Sequence, residues 1–359
     1  GVIEAVWLIV ITLTAKVFYT SPATAMKIVG TTSWYMTIIS ALTAAVGFTF
    51  CYFLLKAFPN KNLLEIYDSV AGRFFGAIFA FLLVGIFLAT IVVNLREFTD
   101  VIKIYAYRDS PPAYILILVM IAVATLSFLG LETIVRYSKF IGYFLAFGLI
   151  AIILLSAQNY EVNRIFPIFG HGIKTTLING IERSSGYGEV IIIAIFASCL
   201  QGIKHIKKTG YLSLLFCGIV VSFTLLSFTL SFSYVVGQEL TAPIYVQASL
   251  IEYGSFFQRL EPLFFFIWNL TTLISITAMF YTVLYIYCHI FRLTDKRPLI
   301  IPLSIIIIFL AIAPESMLLV TSVFEQTLRA YGGLFFFVPP IIAIIIAKVR
   351  KKGGFAKNA

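Results

Sequence analysis

The sequence predicts an all-α, polytopic membrane protein of ten transmembrane helices, built as a 5+5 inverted repeat whose first and sixth helices are broken. Composition sets the class: 60% of the 359 residues are hydrophobic, 12% are charged and the mean hydropathy is +1.01. That is more apolar surface than a water-soluble interior hides. The count of ten comes from apolar segments near the roughly 20 residues needed to cross a bilayer core. The breaks come from residues 180–201, where Ile181-Glu-Arg-Ser-Ser-Gly-Tyr-Gly-Glu189 runs straight into Val190-Ile-Ile-Ile-Ala-Ile-Phe-Ala-Ser-Cys-Leu200. Backbone N–H and C=O groups in hydrocarbon must all find partners, so an interrupted span survives only where it is buried in protein or lines a cavity.

In order, the segments lie near residues 2–20, 32–57, 74–105, 113–130, 134–157, 181–202, 210–237, 257–291, 298–314 and 331–348. The first carries Thr12, Thr14 and Lys16 at mid-span and Pro22 near its outer end; no glycine marks its break. Because the chain begins at Gly1 inside this span, without Met, a short cytosolic N-terminus is expected to precede it. The third and eighth segments exceed one upright crossing and should tilt. Residues 60–70, with Leu63, Leu64, Ile66, Tyr67 and Val70 at helical spacing, read as a short cytosolic helix along the membrane surface. Residues 243–253 read as a capping helix on the outer side, and residues 315–329 as a mildly amphipathic segment outside the membrane. Five segments precede the loop at 158–173 and five follow it, so the second half enters from the opposite side, the inverted repeat of many secondary transporters. The chain is then one transmembrane domain: residues 1–157, residues 174–350, and a basic cytosolic tail at 351–359.

Charge sets the orientation. With both termini cytosolic, 16 basic residues fall on the inside, from Lys56 through Lys357, against six outside: Lys27, Lys103, Arg108, Arg164, Lys174 and Arg329. The positive-inside bias favours that arrangement. The net charge of +10 is therefore spread over several cytosolic edges, which argues against a nucleic-acid surface. Cys51, Cys199, Cys217 and Cys288 lack metal-ligand spacing and read as buried free thiols, so no metal or cofactor is expected.

Ionisable residues at membrane depth carry the functional suspicion, because a charge there is costly and faces a partner or a cavity. Lys16 has three readings: a structural pair with a carboxylate such as Glu189, recognition of a ligand carboxylate, or a proton or cation-substituting role. Arg96 and Glu97, within Asn94-Leu-Arg-Glu-Phe98, read as an internal salt bridge or gate. Glu189, just past the glycines, is placed to cap a half-helix N-terminus. Glu182 and Arg183 read as solvated at the outer entry or as part of the site. In the eighth span, Asn269, Thr271, Thr272 and Ser275 interrupt an aromatic run, either bonding back to the helix or touching a ligand. Arg259 and Glu261 are expected to anchor that span's outer end. With no His-Glu-x-x-His, no Gly-x-Ser-x-Gly and three histidines near loops or helix ends, an enzyme is not expected.

The runs Phe58-Pro-Asn-Lys-Asn-Leu-Leu-Glu-Ile-Tyr67, Ala71-Gly-Arg-Phe-Phe-Gly76, Leu95-Arg-Glu-Phe98 and Asp109-Ser-Pro-Pro112 resemble, in order and spacing, the B subunit of bacterial spore germinant receptors. Asn163-Arg-Ile-Phe-Pro-Ile-Phe-Gly-His-Gly172, Gly186-Tyr-Gly-Glu189, Arg259-Leu-Glu261 with Trp268, and Arg297-Pro298 extend the resemblance over nearly the whole chain. It implies the LeuT-like fold of the amino acid, polyamine and organocation (APC) superfamily. It also implies a place in the spore inner membrane, a small germinant such as an amino acid, and action with A and C partner subunits. In such folds the pocket lies between the first, third, sixth and eighth spans. Here that points to Thr14, Ala15 and Lys16; Ile86, Ala89 and Thr90; Ser185, Gly186 and Tyr187; and Thr271 and Ser275. One departure matters: Ala15 with Lys16 stands where the superfamily commonly has glycine in the first break, which favours a lysine-assisted recognition of carboxylate. Two functions remain open, a germinant-sensing receptor subunit and a proton- or cation-coupled amino acid transporter of the same fold.

Overall fold

The computed structural model describes residues 1–254, 257–258 and 260–356; Arg259 and Lys357 lie outside the described residues. Seven helical stretches are long and apolar enough to cross a bilayer: Ser21–Ala57, Arg73–Tyr105, Pro112–Leu129, Leu131–Asn159, Ile203–Ser231, Glu261–Phe291 and Met317–Val349. Among the described residues, length and composition alone thus mark seven of the ten expected spans. The other three expected spans fall in shorter pieces: the first and sixth are split, and the ninth holds a 13-residue helix.

The first span is α1 (Val2–Thr14), a tight 3₁₀ turn at Ala15–Phe18, then α2 (Ser21–Val29). The break lies at Ala15 and Lys16, where the resemblance placed it, but the span runs on to Val29 and Pro22 opens its second half. Gly30, at φ +71°, turns the chain into α3 (Ser33–Ala57), in a region that disfavours side chains.

Next comes α4 (Leu63–Ala71), started by a capping box in which the Glu65 N–H donates to Asn62 Oδ1 and the Asn62 N–H donates to Glu65 Oε2, both at 2.9 Å. Leu63, Leu64, Ile66, Tyr67 and Val70 are all fully buried, so the apolar face of α4 packs on α3, the third span and the last span and is covered by protein, not by lipid as the surface-helix reading expected. The basic C-terminal stretch closes over it: Lys352 donates to the Ser69 carbonyl at 2.6 Å and Arg350 to that of Val70 at 3.1 Å.

The third span, α5 (Arg73–Tyr105), has 33 residues and a length of about 50 Å, well beyond a ~30 Å core. Two further helices, α6 (Pro112–Leu129) and α7 (Leu131–Leu155), close the first half.

The sixth span is α8 (Ile173–Glu182), a 3₁₀ segment at Arg183–Ile191, and the four-residue α9 (Ile192–Ile195). The apolar run after the glycines therefore does not make the full half-helix the sequence suggested; it ends in a second tight turn at Ala197–Cys199. Cys199 is exposed there, unlike the other three thiols. The chain continues through α10 (Ile203–Ser231), the short α11 (Tyr234–Gly237), α12 (Pro243–Ser249), α13 (Glu261–Phe291) and α14 (Ile300–Ile312). As expected of a cap, α12 packs over the first-span break and onto α13, and Gln247 donates to Ser227 and Ser231 of α10 at 2.6 and 3.1 Å.

The last span begins earlier than the sequence indicated. Met317–Leu319 (α15), a π-helical turn at Val320–Glu325 and α16 (Gln326–Val349) form one continuous helix, so residues 317–329 belong to the bundle and are not an external segment. Packing follows the expected pseudo-symmetry: α3 lies against α10, α5 against α13, and α1 against the sixth-span break. These are the second, third and first spans of each half meeting their counterparts.

Candidate functional site

The two breaks meet at the centre of the bundle. The Lys16 ammonium donates to Glu189 Oε1 at 2.5 Å and to the Gly186 carbonyl at 2.8 Å, with lysine and carboxylate buried. The tight turn at Ala15–Phe18 aims Lys16 across the axis, and the 3₁₀ winding after Arg183 leaves the Gly186 carbonyl free to accept it. Of the three readings of Lys16, the structural pair is the one the geometry forms. Glu189 accordingly does not cap a helix; its second oxygen, Oε2, is buried without a partner.

Two cavities flank this pair. The larger holds about 60 Å³ of space for water centres, room for several waters or a small solute, between Lys16, Thr37, Ser40, Arg183, Gly186, Tyr187 and Arg329, with Met36, Val221 and Leu225 as its apolar wall. The smaller, about 10 Å³ or one water, is lined by Ile86, Thr90, Asn94, Ser185, Glu189, Glu325, Arg329 and Phe336. Arg329 is common to both. Its Nη1 stands 3.4 Å from where a Cβ on Gly186 would lie, and its Nε donates to Glu325 Oε1 at 3.4 Å.

The site residues read from sequence divide accordingly. Lys16, Gly186 and Tyr187 line the larger cavity; Ile86, Thr90, Ser185 and Glu189 line the smaller. Thr14 and Thr271 bond back to the carbonyls of Val10 and Ile267, and Ser275 donates to that of Thr12 at 3.4 Å. With Ala15 they are buried in helix contacts, and Ala89 lines neither cavity. The eighth span thus braces the first break and does not face the cavities.

Arg96 and Glu97 do not pair with each other. Arg96 donates to Asp100 at 2.9 Å and to the carbonyls of Ala311 and Ile312, locking α5 to α14. Glu97 turns the other way and accepts the Thr20 hydroxyl at 2.6 Å, while the Thr20 oxygen lies 3.4 Å from Glu325. Successive helical residues point about 100° apart, which is why adjacent charges here serve different partners. Arg183, read as solvated at the outer entry or as part of the site, is buried and donates to Gln326 of the last helix. Sequence reasoning missed Ser21, Thr37 and Ser40 in the larger cavity, and Thr20, Asn94, Glu325 and Arg329. The signal for the last two was their i, i+4 spacing on a segment read as external.

The chain matches the spore germination protein family over residues 2–317. It is 22% identical over 199 residues to spore germination protein KB of Bacillus subtilis (strain 168), 54% of this chain and 53% of that protein. That alignment spans about half the length of the relative. Spore germination protein YndE of the same organism is 20% identical over 331 residues, covering 89% of this chain and 88% of the relative. Among solved structures, Mhp1, a nucleobase-cation-symport-1 family transporter in a closed conformation with bromovinylhydantoin bound, superposes with a TM-score of 0.64 at 14% identity, covering 92% of this chain and 76% of that one. That likeness establishes the LeuT-like fold.

Proposed function

The chain belongs to the spore germination protein family, and on that premise we propose that it is a germinant-sensing membrane subunit that binds a small carboxylate-bearing molecule, an amino acid, in the larger cavity between the two breaks. The observation that carries this reading is the pair Arg183 and Arg329, which bring two guanidinium groups to one buried cavity wall while Lys16 is already held by Glu189. Guanidinium is the side-chain group best matched to a carboxylate. The hydroxyls of Ser21, Thr37 and Ser40 offer acceptors for an ammonium, and Met36, Val221 and Leu225 face the ligand's side chain.

A ligand so bound touches the first span, the sixth break and the last helix together. It therefore shifts the balance between two packings of the bundle only if it binds them unequally. In this reading partner subunits of the A and C type read that shift at the spore inner membrane, with both termini cytosolic, no cofactor and no covalent chemistry. The alternative is a proton- or cation-coupled transporter, supported by the likeness to a symporter fold and by the buried carboxylates beside the cavity. Proteoliposomes separate the two. Binding of a labelled amino acid without concentrative uptake supports the receptor; uptake driven by an imposed ion gradient overturns it in favour of transport.

A further inference from the structure

Beside the cavity, Thr20 stands between two buried carboxylates, Glu97 and Glu325. Its oxygen is 2.6 Å from Glu97 Oε1 and 3.4 Å from Glu325 Oε2. A hydroxyl carries one hydrogen and can donate to only one of them. The other contact becomes a hydrogen bond only if a carboxyl group supplies a second hydrogen. We propose that Glu97, Thr20 and Glu325 form a proton-binding site that holds one proton in this conformation and links its occupancy to the ligand cavity through Arg329.

The surroundings favour a shared proton. Both carboxylates are 1% exposed and contact the same hydroxyl, so a second negative charge there carries a repulsion that one shared proton removes. From the last helix, Glu325 and Arg329 face Glu97; from the first-span break, Thr20 and Tyr19; on α5 itself, Asp100 and Arg96, which satisfy each other. Neither α6 nor α14 carries a charged side chain, and α13 presents Trp268, with Glu261 at its start. A second observation points into the same place: Asn94 Nδ2, buried on the wall of the one-water cavity that Glu325 also lines, has no partner. A water in that cavity would accept the Asn94 N–H and lie against Glu325, which lines the same space. A metal cation is disfavoured here because the Arg329 guanidinium stands in the lining of this one-water cavity and already pairs with Glu325.

The proton passes by hydrogen exchange along the chain: the Glu325 carboxyl gives its hydrogen to Thr20 Oγ1 as the Thr20 hydrogen goes to Glu97, with no atom gained or lost. The charges explain the coupling. Lys16, Arg183 and Arg329 balance Glu97, Glu189 and Glu325, so one added proton leaves a net positive charge beside the cavity that a single ligand carboxylate neutralises. A ligand that draws Arg329 off Glu325 also removes that carboxylate's counter-charge and strengthens its hold on the proton. Ligand and proton then favour each other's binding.

The coupling rests on the ligand reading above, but the proton itself does not, and the two fail differently. Infrared spectra of the ligand-free, detergent-purified full chain should show, at neutral pH, the C=O stretch of a protonated, buried carboxyl group. The band should shift in D₂O and be absent in both Glu97→Gln and Glu325→Gln, while Asp100→Asn keeps it. A wild-type protein without the band, even if a variant fails to fold, overturns the proposal. So does a band that survives both substitutions, or carboxylate bands that respond to sodium and not to pH. For the coupling, affinity for a stabilising amino acid should fall by about tenfold per pH unit once the site empties, and stay flat in Glu97→Gln. A band with a pH-independent wild-type affinity overturns the coupling.

Discussion

Lys16 and Glu189 meet across the two helix breaks at 2.5 Å, and the Gly186 carbonyl takes a second hydrogen of the same ammonium. This joins the two halves at the point where each is least helical. Removing one partner leaves the other charge buried without its counter-ion, so Lys16→Met or Glu189→Gln alone should cost about 3–5 kcal/mol of stability. The double substitution should recover much of that loss. Thermal unfolding of the three variants in one detergent measures the coupling, and additive losses would show that the two do not act as a pair.

Gly186 and Gly188 offer a contrast between ligand space and packing space. A methyl group on Gly186 meets only Arg329, at 3.4 Å, whereas one on Gly188 runs into the Phe336 ring. Gly188→Ala should therefore destabilise the fold by about 1–3 kcal/mol. Gly186→Ala should leave the melting temperature of the free protein near that of the parent and weaken ligand binding by about tenfold or more, roughly 1.4 kcal/mol. The same ligand affinity in both proteins would place the ligand elsewhere.

At the far end of the bundle, Asn62 caps α4 and donates to the Tyr285 hydroxyl at 3.2 Å, tying this helix to the eighth span. Asn62→Ala should cost about 1 kcal/mol through the lost cap. It should also speed amide hydrogen exchange in α4 ahead of the neighbouring spans, since the helix would open locally. Unchanged exchange in Leu63–Ala71 would mean that packing alone holds it.

Much of this was legible in the sequence because bilayer thickness constrains apolar run length. The long third and eighth spans fall within a few residues of expectation; the sixth-span break appears at the Gly186, Gly188 pair that announced it, and the first at Ala15 and Lys16, where the resemblance placed it. What was hidden has a common cause. Glu325 and Arg329 make residues 315–329 look soluble, so the last span seemed to begin at 331, when those charges are in fact satisfied inside the bundle. The apolar face of α4 looked like a membrane-surface helix because hydropathy does not distinguish lipid from protein as the covering medium. Likewise Thr271 and Ser275 are polar for the sake of helix carbonyls, which spacing cannot separate from ligand contact.

If Arg329 meets the carboxylate of a small ligand between the two breaks, thermal stabilisation of the detergent-solubilised protein by the twenty amino acids will reveal it. At least one amino acid should raise the melting temperature, its decarboxylated amine should not, and Arg329→Gln should abolish the rise. Stabilisation that survives Arg329→Gln, or that the amine reproduces in full, would contradict that placement.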